Sequence, residues 1–369
     1  MNEIEVSHLI LKNIILNDIP FASALKVGFR RYEVDSETRS NITALIGSEL
    51  RHHLLFKEII KNHLAIEDDK NVLSLFLALA NSLFVKRLDN QKCFEFAKDE
   101  VTSSYPSITG KDIDKFFKWA MSTKELIDPD LSKDSCKFLS LRYNTPSWVI
   151  DMWDKQFGRG VTLKTLSANY KPAKPVLRLD SEKLTEEELL NIPGFSKTEI
   201  DDLYVYESKT PLKSLDVFKQ GYIFYQKMAT KSIIDSLNLN PVNKIAIFAS
   251  YPNNIVLDLS VRFSRSINVD IMSNHLQTYL DTKELIKSRG LSNAHIYQIE
   301  HSGIIPTCLE NKVDVFLLLS KNSSFDLLRS TPDYFSRINQ DDLDGLIATQ
   351  QNDLEECSKF IEDEGVLVY

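Results

Sequence analysis

The sequence predicts a multidomain α plus α/β protein: an all-α bundle, a small α+β linking segment, and a doubly wound parallel sheet. Three observations carry that prediction. Apolar residues recur at helical spacing from Ile4 to about Lys124. A polar, turn-rich stretch, Asp128 to Asp134, follows as a natural linker. From about Pro211 short β-rich runs alternate with helical ones, the pattern of a parallel sheet covered by helices.

In the first region, Val6, Leu9, Ile10, Ile14 and Ile15 share one helical face, and Ile42, Leu45, Ile46, Leu50 and Leu54 share another. Val72, Leu75, Phe76, Leu79 and Leu83 belong to a helix apolar on more than one side, which places it centrally in the bundle. After a break at Ser107 to Gly110, a last helix holds Phe116, Phe117, Trp119 and Met121. The second region opens with a helix whose first turn takes Pro146 and which runs through Trp148 to Phe157. Val176 to Leu179 alternates as a strand, and Thr185 to Glu188 forms a capping box for a short helix. In the third region, strands are predicted over 244–249, 266–271, 294–299, 314–319 and 366–369, with helices over 275–288 and 340–360. The implied boundaries are 1–130, 131–210 and 211–369.

Composition narrows the function classes. The 369 residues are 43% hydrophobic and 26% charged, a soluble globular balance. No apolar run reaches the ~18 residues that span a bilayer, and no basic, apolar leader opens the chain, so a cytoplasmic protein without a membrane partner is expected. Cys93, Cys136, Cys308 and Cys357 are widely spaced, with no histidine at ligand spacing, and read as buried thiols with neither zinc nor disulfides. A net charge of −8 excludes a strongly basic nucleic-acid coat protein but leaves a local cationic patch open.

Four strings, in order along the chain, carry a resemblance. Thr38-Arg-Ser-Asn-Ile-Thr-Ala-Leu-Ile-Gly-Ser-Glu-Leu-Arg51 resembles a helix of NusB-type bundles, D-R-x-x-x-x-x-L-V-Y-G-x-L-R. Leu139-Ser-Leu-Arg-Tyr-Asn-Thr-Pro-Ser-Trp-Val-Ile150 is similar to the S-x-R-Y-x-x-P-x-W segment of the RsmB/Sun-type ribosomal-RNA cytosine-C5 methyltransferases, where it joins a NusB-like domain to the catalytic half. Lys171 to Asp180 resembles that family's following strand, and Phe218-Lys-Gln-Gly-Tyr-Ile-Phe-Tyr-Gln226 its lead into the cofactor fold. The resemblance implies a NusB-like RNA-binding bundle over 1–130, a linking domain, and a Rossmann-like S-adenosylmethionine-dependent methyltransferase domain over 211–369.

The family's chemistry needs a cysteine thiolate to attack C6 of cytosine, so that C5 can take a methyl group from S-adenosylmethionine. It also needs a carboxylate on the base, a glycine turn at the cofactor and acids at strand ends. Against the family's L-D-L-C-A-A-P-G-G-K-T, this chain reads Ala246-Ile-Phe-Ala-Ser-Tyr-Pro-Asn-Asn-Ile-Val256. Pro252 is kept, while Asn253 and Asn254 replace both glycines; asparagine tolerates a left-handed turn, so the turn's shape is expected to persist with its space filled. Asp270 falls at the ribose-binding acid and Glu300 at the third-strand acid, though an acid at a strand end is also a common helix cap. The base-contacting aspartate falls on Leu319 and the loop cysteine on Asn322. Family chains continue G-V-L-V-Y-S-T-C where this sequence ends at Gly365-Val-Leu-Val-Tyr369. The resemblance therefore implies a degenerate, C-terminally truncated member whose sheet lacks its last strands, with no bound cofactor and no catalysis.

What it leaves is binding to RNA, ribosomal RNA in particular, with Arg30, Arg31, Arg39, Arg51, Arg142 and Arg178 as phosphate contacts. Interleaved acids such as Glu33, Glu49 and Glu58 leave a merely solvated face as the rival reading. Tyr143 and Trp148 suit either base stacking or packing between domains. An unpaired sheet edge points to a protein partner or self-association. Two alternatives stay open: a divergent small-subunit ribosomal-RNA cytosine methyltransferase cut before its nucleophile, and a non-functional or protein-interaction remnant.

Overall fold

Acidic and hydroxyl side chains placed just ahead of apolar runs start several helices. In the computed structural model, which describes residues 3–64, 69–105, 108–240, 243–299, 312–336 and 338–369, the chain groups into two units. The first holds residues 1–173 with 324–340, the second 174–323 with 341–369. The sequence reading has three segments; residues 131–173 of its middle one fall in the first unit and 174–210 in the second.

The first unit contains α1 (Glu3–Asn17), α2 (Phe21–Arg31), α3 (Ser36–Leu50), α4 (His53–Leu64), α5 (Lys70–Ala80), α6 (Asn90–Ser104), α7 (Gly110–Ser122), α8 (Cys136–Tyr143), α9 (Ser147–Phe157) and α10 (Arg159–Asn169). Asp69 caps α5 by accepting from the Asn71 and Val72 amides, and Asp89 caps α6 through the Lys92 amide. Every residue of α5 from Ser74 to Ala80 is buried, as a central helix requires. Pro146 precedes α9 as its N-cap, one position ahead of the expected first turn. α2 has no side-chain cap of its own; the buried Asp333, far along the chain, accepts from the Phe21 amide at 3.0 Å instead.

The second unit holds two sheets. β1 (Val176–Leu179), β2 (Phe195–Lys197), β3 (Leu203–Tyr206) and β4 (Ile223–Tyr225) form an antiparallel sheet in the order β2-β3-β1-β4, accompanied by α11 (Glu186–Leu190) and α12 (Asp216–Lys219). Gly221, ahead of β4, sits at φ +72°, where an added Cβ would overlap the Arg289 guanidinium, so this glycine is structural. After α13 (Met228–Ser236) come β5 (Lys244–Ala249), α14 (Ile255–Arg262), β6 (Asn268–Ser273), α15 (Leu276–Arg289), β7 (Ala294–Gln298), β8 (Val313–Leu319), α16 (Gln340–Ser358) and β9 (Ile361–Val368). These five strands are parallel in the order β7-β6-β5-β8-β9. The order reverses direction at β5, which makes the carboxyl ends of β5, β6 and β8 the place where such sheets bind ligands. No helix among the described residues is long and apolar enough to cross a membrane.

A buried ion pair ties the two sheets together. Arg178 of β1, only 4% exposed, brings Nε within 2.5 Å of Asp258 Oδ1 on α14, which is fully buried. The same guanidinium donates to Asp202 Oδ2 at 3.1 Å. This corrects the expectation that Arg178 contacts RNA: its charge is spent inside the protein. Arg178→Leu should leave Asp258 buried and unpaired and lower the unfolding free energy by about 3–5 kcal/mol. Asp258→Leu with Arg178→Leu should recover much of that loss in urea titrations, and equal stability of the single and double variants would contradict the pairing.

His8 of α1 is also fully buried, with Nε2 3.0 Å from the Tyr105 hydroxyl. Burial first, then the Lys12 charge, lowers its pKa from 6.5 to about 4, against a hydrogen bond to the Ser74 backbone. The fold therefore favours neutral His8, and between pH 6.5 and 4 the unfolded chain binds the extra proton. Stability should fall as pH drops through that window, by about 3 kcal/mol at most from this residue. Urea midpoints from neutral pH downward should show a shallower slope in His8→Gln than in the parent chain.

Candidate nucleic-acid interface and the carboxyl end of the parallel sheet

In the first unit, the end of α2 and the start of α3 gather three exposed arginines. Arg30 and Arg31 lie in the last turn of α2, and Arg39 on α3 rests over the Phe29 ring at 5.7 Å while its Nε donates to the Val34 carbonyl at 2.7 Å. Arg31 lies over Tyr32 at 5.7 Å. Ring contacts of this kind hold a guanidinium in place without neutralising it.

Arg51 and Arg142 belong to a second grouping, at the junction of α3 and α4 with the end of α8. Arg51 is half-buried and donates to the Gly47 and Arg329 carbonyls at 2.9 and 3.2 Å. Arg142 is exposed. Beside them His52 Nδ1 donates to the Ser48 carbonyl at 2.7 Å, and the His52 and Tyr170 side chains meet at 2.5 Å. Burial, then the cationic charges of Arg51, Arg142 and Lys86, outweighs a hydrogen bond to Ser48 and holds the His52 pKa below its ordinary value. Burial raises that of Tyr170 against the pull of Arg142 and Arg51. A shallow cleft here is lined by Arg51, Tyr143, Tyr170, Thr331 and Phe335. Tyr143 and Trp148 are partly buried against the Trp153 core, so packing claims most of both rings. Tyr170 and the Arg329 carbonyl went unread in the sequence, since each meets its partner, His52 or Arg51, only through tertiary packing.

In the second unit, the carboxyl end of the parallel sheet is satisfied by its own side chains. The Asn253 carboxamide accepts from the Ile255 amide at 3.1 Å, and Asn254 Nδ2 donates to the Tyr225 carbonyl at 2.7 Å. Neither takes a positive φ; Asn254 sits at −110°. The expected persistence of a left-handed turn is thus not met, because these side chains bond the backbone in another conformation. One of the first amides of α14, the kind a helix N-terminus offers to an anion, is already taken. Pro252 is exposed.

Asp270 does not stand at a strand end. β6 runs two residues later than the sequence reading, so Asp270 lies mid-strand opposite Ala246 and His295. The carboxyl end is Ser273, fully buried, whose Oγ donates to the Ala249 carbonyl at 2.7 Å. Neither it nor Asn274 is an acid. Glu300 and Cys308 lie outside the described residues. Leu319 ends β8 with its carbonyl accepting from the Ser250 amide at 3.0 Å, and Asn322 is exposed in the following loop. Ser320, between them, is buried and donates to the buried Asp353 carboxylate of α16. Cys93 and Cys357 are buried as expected; Cys136 is half-buried and donates to Asp151 Oδ1 at 2.8 Å. No group of side chains that would hold a metal occurs among the described residues.

Neither a family model nor a curated protein matches the chain. Solved structures do. The protein named PH0851 superposes with a TM-score of 0.78 at 15% identity, over 100% of this chain and 85% of its own. A methyltransferase homolog protein from Pyrococcus horikoshii gives 0.52 at 17%, over 65% of this chain and 77% of its own. NSun6 from the same organism, solved with the S-adenosylmethionine analogue SFG, gives 0.53 at 13%, over 61% and 82%. At these identities the likeness establishes the fold, a methyltransferase-type one.

At this end of the sheet a hydroxyl on β6 bonds the neighbouring strand, and two carboxamides follow β5, each hydrogen-bonded within the chain. The Ser320–Asp353 contact gives a direct check on this end of the sheet. Burial raises the Asp353 pKa while the Ser320 hydrogen bond opposes it. Ser320→Ala should cost about 1–3 kcal/mol of stability. The raised carboxyl pKa makes that cost larger at alkaline pH, where the carboxylate is charged, than in acid, where it is protonated. A pH-independent loss in chemical denaturation would contradict the contact.

Proposed function

We propose that this chain is an RNA-binding protein built on the RsmB/Sun-type RNA methyltransferase fold and that it does not transfer methyl groups. The observation that carries this reading is the internal hydrogen bonding at the carboxyl ends of β5, β6 and β8, where a methyl donor and base-activating groups would have to sit. Leu319 offers no carboxylate to a cytosine and Asn322 no thiol to assist release, so neither stabilisation of the activated ring nor release has a group at the position the resemblance implies. The helical first unit takes the role of a NusB-like RNA-binding domain, and ribosomal RNA is the ligand implied by the resemblance. Arg30, Arg31 and Arg39 supply one exposed cationic face, Arg51 and Arg142 another. Arg178 plays no part in it.

Titration calorimetry with S-adenosylmethionine should give no heat of binding. A helix from small-subunit ribosomal RNA should bind with an affinity that falls steeply as salt rises, because phosphate contacts release counterions. Incorporation of tritiated methyl groups into unmodified ribosomal RNA by this chain alone would overturn the proposal.

A further inference from the structure

The helix and strand that close the second unit carry the whole charge imbalance of the protein. Residues 340–369, which make up α16 and β9, hold nine acids against one lysine, a net −8. The rest of the chain is balanced, since 52 acids less those nine and 44 cations less that one leave 43 of each. Lys359, the cation of the segment, is already paired with Glu356 at 2.6 Å.

The same segment leaves apolar side chains and backbone groups uncovered. β9 is an outer strand of the parallel sheet, and no strand among the described residues pairs with its other side. Alternate amides and carbonyls of an outer strand face away from its neighbour, open to another chain. Tyr369, just past β9, is 66% exposed, and its hydroxyl donates to Gln350 Oε1 of α16 at 2.7 Å. Ile347 and Leu354, three residues before Gln350 and four after it, share its helical face and are exposed. Leu367 packs in the cluster that holds Cys357 of α16, which puts the exposed Val366 on the other face of β9.

The amino end of β9 limits what can dock there. Val313 pairs with Ile361 and Val315 with Val366, so residues 362–365 bulge opposite Asp314 alone. Glu364 takes φ +68°, and a Cβ on Gly365 would come within 3.0 Å of the Asp314 carbonyl oxygen. The bulge displays Glu362, Asp363 and Glu364, all exposed, and shortens the regular edge to Val366–Val368. Two copies of this chain meeting edge to edge would bring two such acidic segments together, which like-charge repulsion opposes. RNA carries the same sign and is opposed on the same ground.

We infer that this surface takes a basic segment of another protein, added to the sheet as a strand beside β9. The segment's backbone pairs with Val366–Val368, and its apolar side chains cover Tyr369, Ile347 and Leu354. Its lysines or arginines meet Glu362, Asp363 and Glu364. In strand addition the backbone bonds supply affinity and the flanking side chains supply the choice of partner. Here the choice is made by charge, with the bulge as the acidic end of the site. The inference uses none of the cationic residues and does not rest on the RNA-binding reading.

The test uses the full chain and fluorescence anisotropy with three short synthetic peptides, at several salt concentrations. One alternates lysine with valine, one alternates glutamate with valine, and the third is the lysine–valine peptide with its backbone amides methylated. The lysine–valine peptide should bind, more weakly as salt rises, and the glutamate–valine peptide should not. Methylation keeps charge and side chains but removes the edge bonds, and should weaken binding about tenfold. Joint Glu362→Gln, Asp363→Asn and Glu364→Gln should lower affinity severalfold and flatten the salt dependence, with circular dichroism unchanged. Ile347→Ser should lower affinity and leave the salt dependence as it is. Parental binding of the methylated peptide would reduce the contact to attraction between charges and overturn strand addition. The surface itself is overturned if the lysine–valine peptide fails to bind, if both charge types bind alike, or if the triple variant keeps parental affinity. A dimer in analytical ultracentrifugation that Ile347→Ser with Tyr369→Ser dissociates would give the edge to a second copy, against the proposal.

Discussion

The second unit depends on one buried charge pair. Arg178 lies on the antiparallel sheet and Asp258 on the helix that follows β5, so their contact holds the small sheet against the layer that covers the parallel one. Removing two charges from water is costly, and the attraction between them offsets that cost only when both are present in good geometry. The cluster around them is extensive: Lys231 and Arg262 both pair with Asp235, and Arg265 bridges Asp180 and Glu182. Such an arrangement specifies how the elements meet more than it adds stability. It also fixes the start of α14, and with it the loop that carries Asn253 and Asn254.

At the sheet's carboxyl end, polar groups are satisfied by hydrogen bonds within the chain. A cofactor cleft keeps backbone amides free and side chains small, so that a ligand can supply the missing hydrogen bonds. Here the missing bonds are supplied from within, by Asn253 to Ile255, Ser273 to Ala249 and Ser320 to Asp353. Each partnership satisfies a polar group that would otherwise be costly to bury. A ligand entering would have to break them first, which sets affinity against stability at the same atoms.

Much of the fold was legible in the residues, for reasons that also explain the failures. Val176 to Leu179 is legible to the residue because its alternation lies between prolines and an acid, which leave no freedom of register. For β6 the sequence pattern points two residues early because alternation has a period of two, so an even shift leaves the pattern intact. That slip alone turned Asp270 into a strand-end acid. β2, β3 and β4 are three or four residues long, too short to show a period at all. Arg178 looked like a free cation because nothing local reveals that its partner is Asp258. The same blindness hid Tyr170, 118 residues from His52.

The first unit follows the opposite course. Its arginines at 30, 31 and 39 are exposed, and those at 31 and 39 are steadied by rings and a carbonyl that leave their charge intact. Arg51 is likewise held by carbonyl oxygens, and Glu49, the acid two positions before it, is occupied with His53. A guanidinium positioned by neutral acceptors retains nearly its full field, whereas one paired to a carboxylate, as Arg178 is, presents almost none. Net charge therefore misleads for this protein. An overall −8 gives no sign that Arg178 is paired with carboxylates inside the second unit while Arg31 and Arg39 of the first rest on rings and a carbonyl at the surface. Such a distribution would suit the proposed contact with a phosphate backbone, because a guanidinium steadied by neutral groups keeps its field for an outside anion.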